Sequence, residues 1–402
     1  MKVMNCIINL FLFLQVVSLG SADVLAVPPF NISKESILKY LSLDNINLDL
    51  PALYVFGDNF VDAGNNNYLH NSFIQSNYPP YGIDFGGKPT GRYTNGRTVA
   101  DFIGKKLISP NLHFHVKILI PLFNRAAHFV GLPFPPPVLS LSEEDRRVPQ
   151  TGLNYASGYT GINEIYGKPY GRLRHKQMPA MKEQVKLFKK TTKKLQREFG
   201  SKQSFSNYMS KSLFFINTIS YDLDSAWEGM RYAYSDYYYS LLILKDFSDH
   251  LQTLYRLGAR KIVVNNASPI GCQPHLNKGG DCDKAANERA LFFNPMLFNF
   301  TKDLQSTLPG LQIVLVDLYK IFEDVFKSPA SYGFTEVKSP CCSKTDLNDR
   351  CIPNVELCKD RSSYVFFDAI NPTETMHFIW ARRLLKDSSV SYPINLIQLI
   401  QS

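Results

Sequence analysis

Short apolar runs alternate along the chain with longer stretches whose apolar positions recur every three or four residues. Ala52-Leu53-Tyr54-Val55-Phe56 halts at Gly57-Asp58, and Leu213–Ile216, Lys261–Val264 and Ile313–Val316 are runs of the same kind. Runs this short, without polar alternation and bounded by turn residues, predict strands buried on both faces. Leu244, Phe247, Leu251, Leu254 and Leu257 lie three and four apart ahead of Gly258, which predicts a helix with a glycine cap. Leu318–Phe326 reads as a second helix. Between Met181 and Phe199, Val185, Phe188, Leu195 and Phe199 form one stripe, and Lys186, Lys189, Lys190, Lys193 and Lys194 occupy much of the rest. That pattern predicts a helix with a core face and a solvated basic face. Buried strands alternating with helices predict a mainly parallel sheet with helices on both sides, a three-layer α/β/α sandwich. No internal repeat is visible.

The ends and the cysteines set the compartment. Lys2 precedes an apolar run from Ile7 to Leu19, and Gly20-Ser21-Ala22 supplies the small residues of a signal-peptidase site. Residues 1–22 therefore read as a cleaved secretory signal, with the mature chain beginning near Asp23 and a leader over 23–47. The run is too short to span a bilayer, and no later stretch of about 20 apolar residues follows. Of the seven cysteines, Cys6 leaves with the signal; Cys272, Cys282, Cys341, Cys342, Cys351 and Cys358 remain. An even set in the C-terminal half, without a Cys-x-x-Cys pair, reads as disulfides in an oxidising compartment rather than a metal site. The expected grouping is Cys272 with Cys282, and Cys341 and Cys342 each with Cys351 or Cys358, since adjacent cysteines join only under strain. Asn31, Asn266 and Asn299 head glycosylation sequons. The 402-residue chain has ordinary globular composition and a net charge of +9, which favours anionic surroundings. It carries no nucleic-acid-binding motif and no histidine spacing for a metal.

The chemistry concentrates where the first strand ends. Gly57-Asp58-Asn59-Phe60-Val61-Asp62-Ala63-Gly64-Asn65-Asn66-Asn67-Tyr68 resembles the first block of the plant GDSL esterase/lipase family, within the SGNH hydrolases. Gly91–Arg97, Asn154–Gly158, Ser212–Asp222, Gly258–Lys261, Pro269–Cys272, Cys341-Cys342 and Phe367–Thr373 resemble its further segments in the same order. The resemblance covers about residues 50 to 390. It implies a flavodoxin-like SGNH fold over 48–402, without a cofactor. In the family the turn after strand one carries a nucleophilic serine; that position is Asn59. The general-base histidine of the last block falls on Asn371, and the aspartate that orients it is present as Asp368. The oxyanion glycine is Gly158, and the oxyanion asparagine of block three falls on Tyr221.

An asparagine amide has no hydroxyl to activate and no nitrogen titrating near neutrality, so neither Asn59 nor Asn371 can perform the expected step. In a serine hydrolase, loss of the serine or the histidine alone costs about 10⁶ in kcat. A tyrosine hydroxyl at 221 could still donate to an oxyanion. Ser220 and His377 are the nearest substitutes by sequence, but Ser220 follows a different strand. His377 lies more than a turn inside any helix that starts at Pro372. Each remaining histidine reads as a surface or packed residue, and Asn65-Asn66-Asn67 as loop scaffolding.

Residues 108–130 interrupt the family pattern, either as a functional insertion or as an unspliced intron. The expected protein is a secreted, extracellular GDSL-like protein without hydrolytic activity, retained for binding a small ester, lipid or cell-wall carbohydrate. An active ester hydrolase with a non-standard nucleophile and the product of a decaying gene are the alternatives. Neither nucleic acid nor a membrane span is expected.

Overall fold

A computed structural model describes residues 50–107 other than 71 and 73, 134–147, 152–162, and 178–402 other than 231. The signal run, the leader with Asn31, and the 108–130 segment lie outside the described residues. Four parallel strands form the centre: β1 (Leu53–Gly57), β2 (Leu213–Asn217), β3 (Lys261–Asn265) and β4 (Gln312–Val316), side by side in that order. On the outer side of β1, Asn154 bridges Val55 in parallel and itself bridges Pro137. β5 (Glu336–Pro340) and β6 (Tyr364–Phe366) form a small separate parallel pair, and β7 (Ser391–Tyr392) closes the β4 edge antiparallel.

The unalternating runs have the predicted cause. Tyr54, Phe56, Phe214, Ile216, Ile262 and Val264 face one core, covered by helices Met181–Leu195, Asp236–Arg256 and Lys284–Thr307. Leu53, Val55, Phe215, Val263 and Val314 face the other, covered by Val99–Leu107, Leu318–Lys327 and Glu374–Lys386. Sheet residues buried on both sides have no solvent face to alternate toward. The result is the three-layer α/β/α sandwich expected of the SGNH type. In register, Gly57 lies beside Asn217, and Val264 beside Ile216, so the loops leaving β1, β2 and β3 gather at one sheet edge, where α/β folds place their sites.

Helix Met181–Leu195 ends four residues before Phe199, and Gln196–Glu198 tightens into a 3₁₀ turn. Helix Lys284–Thr307 had no clear signal. It carries Pro295 internally, and two of its polar residues face inward, Asn287 to the Gly271 N–H (2.9 Å) and Asn294 to the Ala267 N–H (3.0 Å).

Three disulfides join Cys272 to Cys282, Cys341 to Cys358 and Cys342 to Cys351. Among the described residues no helix is long and apolar enough to cross a membrane. Asn266, which heads one of the sequons, is largely buried. Its side chain is 7% exposed, its Nδ2 donates to Asp317 Oδ1 (3.0 Å), and its Oδ1 accepts from the Tyr319 N–H (3.1 Å). A glycan on that nitrogen would replace one of its hydrogens and compete with the bond to Asp317. Asn299, by contrast, is exposed on its helix.

Candidate functional site

The turn after β1 is fixed from three directions. Gly57 has φ +144°, and a Cβ there would sit 1.8 Å from the Asn217 carbonyl, so only glycine allows strand and loop to approach. Gln184, reaching in from helix Met181–Leu195, brackets Gly57: its Oε1 accepts from the Gly57 N–H (2.9 Å) and its Nε2 donates to the Gly57 carbonyl (2.8 Å). The Asp58 N–H donates to the Asn217 carbonyl (2.9 Å), while the Asp58 carboxylate receives the Phe60 N–H and Asn217 Nδ2, both at 3.0 Å. Burial nonetheless pushes the Asp58 carboxyl up to about 7. This turn presents Asn59, 7% exposed.

Asn59, Asn371 and Asp368 stand in one hydrogen-bonded line. Asn59 Nδ2 donates to Asn371 Oδ1, and Asn371 Nδ2 donates to both Asp368 oxygens at 3.0 and 2.9 Å. A carboxylate only accepts, so it fixes which end of the Asn371 amide faces it. The Asn371 oxygen must then face Asn59, and the Asn59 oxygen is turned away from the line. Asp368 also takes the Asn371 and Ile370 N–H groups (2.6 and 2.9 Å) and the Tyr81 hydroxyl (2.7 Å). Burial lifts its carboxyl to about 6 against these bonds, which work to lower it. Behind the line, Thr94 Oγ1 donates to the Pro372 carbonyl (2.9 Å), and Arg97 forms a buried ion pair with Glu374 (2.7 Å).

The two oxyanion positions do not join this line. The Gly158 N–H donates to Asp62 Oδ2 (2.9 Å), and a Cβ on Gly158 would lie 2.4 Å from the Tyr93 ring. The residue is glycine because Tyr93 packs against it, and its amide is already bound to a carboxylate. Tyr221 lies in the short helix Ile219–Leu223 and packs against the larger core; burial, with Asp222 and Asp224 adding, pushes its hydroxyl up to about 12. No hydrogen bond links it to Asn59 or Asn371 among the described residues. Asn65, Asn66 and Asn67 act as scaffolding. Asn65 Nδ2 donates to the Asn154 and Ala156 carbonyls (2.9 and 2.8 Å), Asn66 Nδ2 to Tyr93 Oη (2.8 Å), and Asn67 Nδ2 to the Thr90 carbonyl (3.1 Å).

Among the described residues, neither His377 nor Ser220 stands beside the line. His377 is 1% exposed, stacked on Trp380 and edge-on to Phe60, and burial drives its ring down to about 3. The helix begins at Glu374 rather than Pro372, with Thr373 as its cap, which places His377 at the end of the first turn rather than beyond it, buried in the core. Among the described residues, Ser220 Oγ meets Ser268 Oγ, at 3.4 Å. His275 has both ring nitrogens engaged, Nε2 with Asp224 Oδ2 (3.0 Å) and Nδ1 with the Ala369 carbonyl (3.3 Å). Burial works to lower its pKa, but the Asp224 carboxylate outweighs it and the net shift is upward. With both nitrogens committed, His275 ties its two loops together.

Three contributors escaped sequence reading: Gln184, Tyr81 and Asp62. A polar residue on the apolar stripe of a helix is a usable signal for Gln184. Tyr81, in Pro79-Pro80-Tyr81-Gly82, carries none.

Comparison with known proteins places the arrangement. Residues 53–384 match the family model for GDSL-like lipase/acylhydrolase. Two relatives from Arabidopsis thaliana, GDSL esterase/lipase 7 and GDSL esterase/lipase At4g16230, are 34% and 36% identical. The alignments cover 87% of this chain in each case, and 92% and 91% of the respective relatives. The chain belongs to the GDSL esterase/lipase family.

Proposed function

We propose that this protein is a GDSL-family member that does not hydrolyse esters and that acts by binding, outside the cell. The observation that carries the reading is the Asn59–Asn371–Asp368 line. A serine–histidine pair works because a proton can leave the hydroxyl for a ring nitrogen. Here the corresponding contact is amide to amide, and neither group exchanges a proton near neutrality. One donor that would stabilise a tetrahedral oxyanion is already engaged, because the Gly158 amide serves Asp62. Removing one such donor from a working enzyme costs about 10²–10³ in kcat.

What remains is a polar wall with the Asn59 oxygen turned away from Asn371. An acceptor in that place suits a ligand hydroxyl or amide better than an ester carbonyl. Lipids with free hydroxyls and wall-derived sugars are the classes this favours. Three disulfides support an extracellular location, as does the apolar N-terminal run. The test is hydrolysis of p-nitrophenyl acetate and longer acyl esters by purified protein. The expected rate equals background; a saturable rate abolished by Asn59→Ala would overturn the proposal.

A further inference from the structure

Away from the site, helix Met181–Leu195 carries five exposed lysines: Lys182, Lys186, Lys189, Lys190 and Lys193. At about 100° per residue they fall within an arc of roughly 100°, and at about 1.5 Å rise per residue they extend over ~16 Å. They form a stripe on the side away from the buried Val185, Phe188 and Leu195. The stripe borders a groove of about 600 Å³ between this helix and Asp236–Arg256, lined by Lys182, Lys186 and Lys189 with Glu183, Val185, His250 and Thr253.

Carboxylates neutralise only part of the stripe, with Lys182 and Lys186 already engaged. Glu183 meets Lys186 at 3.3 Å, and Glu143 is engaged with the neighbouring Lys194. Across the groove, Asp246 and Asp249 lie 3.9 and 3.8 Å from Lys245. Lys189, Lys190 and Lys193 make no ion pair among the described residues. Three lysines on other helices, Lys284, Lys320 and Lys327, each meet an acid one turn away. The stripe is also held rigidly, because Gln184 on the same helix brackets Gly57 with two hydrogen bonds.

We propose that this stripe is a docking surface for a linear polyuronate, a polysaccharide whose carboxylates repeat along the chain. A row of lysines with excess positive charge complements a row of carboxylates. An anionic bilayer fits less well, because no large apolar side chain is exposed along the helix to enter it. Single-stranded nucleic acid fits less well too, since no exposed aromatic ring interrupts the lysines to stack a base. The surface is separate from the Asn59 line, so the inference stands or falls independently of whether esters are cleaved.

The test is binding of the full secreted protein to polygalacturonate, measured by calorimetry at several salt concentrations. The expected affinity falls steeply with salt, as counterion release requires. The variant Lys189→Glu/Lys190→Glu/Lys193→Glu should bind at least tenfold more weakly. A charge-matched control, Lys284→Glu/Lys320→Glu/Lys327→Glu, should stay within about twofold. Circular dichroism establishes that both variants fold. Equal losses in the two variants would make the effect one of net charge and overturn the proposal. So would absence of binding, or tighter binding to phosphatidylserine vesicles or to single-stranded DNA than to polygalacturonate.

Discussion

Replacing Asn59 by serine and Asn371 by histidine should work only as a pair, for reasons of both length and chemistry. The two side chains now meet amide to amide. Serine is about one bond shorter than asparagine and imidazole about one bond longer than an amide, so the two changes compensate along the line. Asn371 has no exposed surface, and its pocket is closed by Asp368 and the Phe367–Thr373 loop. Asn371→His alone therefore presses a ring against Asn59, and overpacking of this kind costs about 1–3 kcal/mol. Asn59→Ser alone leaves a gap and an unpaired Asn371 oxygen, at about 1–3 kcal/mol. In the double variant the ring can span from the Asp368 carboxylate to the new hydroxyl, and the coupling should return about 1–3 kcal/mol. Urea denaturation of the four proteins measures this. Hydrolysis of p-nitrophenyl acetate should follow the same cycle, with the double variant above both singles. Its rate should stay well below that of an intact enzyme, because each missing oxyanion donor costs about 10²–10³. If Asn59→Ser alone hydrolysed ester as fast as the double variant, or if the stability effects simply added, the assignment of Asn371 to the base position would be refuted.

Two further outcomes follow from the buried groups. The carboxyls of Asp58, Asp62 and Asp368 are raised by burial to about 7, 6 and 6. A raised folded-state pKa gives stability that is fully present below the unfolded value and is lost as pH rises through the folded value. The unfolding free energy from urea denaturation should therefore be higher at pH 5 than at pH 7.5, by on the order of 5 kcal/mol; a stability that climbs over that interval contradicts the assignment. Mass spectrometry of glycopeptides from secreted protein should find glycan at Asn299 and none at Asn266, and full occupancy at Asn266 would show that the Asp317 and Tyr319 contacts do not form.

The central sheet was legible because its strands are buried on both faces, and burial of that kind leaves an uninterrupted apolar run in the sequence. β5 and β7 were not. β5 contains Lys338 and Pro340, is only half buried, and pairs with a strand that comes after the whole disulfide-bonded loop. β7 is two residues long. The line Asn59–Asn371–Asp368 was readable from motif order, since each residue sits at the end of an element whose position the family pattern fixes. The oxyanion positions were not readable. Whether the Gly158 amide is available depends on Asp62, four residues past the turn, and no local pattern encodes that contact. Burial of Asn266 was invisible for a similar reason, because its partners Asp317 and Tyr319 lie more than 50 residues away.

The most direct test of the central claim is exposure of the native protein to a fluorophosphonate, followed by intact-mass measurement. A nucleophile poised beside a base is phosphonylated whatever its substrate, so the reagent does not depend on knowing the ligand. The account predicts an unchanged mass for the native protein and one added phosphonyl group for the Asn59→Ser/Asn371→His variant. Stoichiometric labelling of the native protein at any single side chain would contradict it and identify the nucleophile.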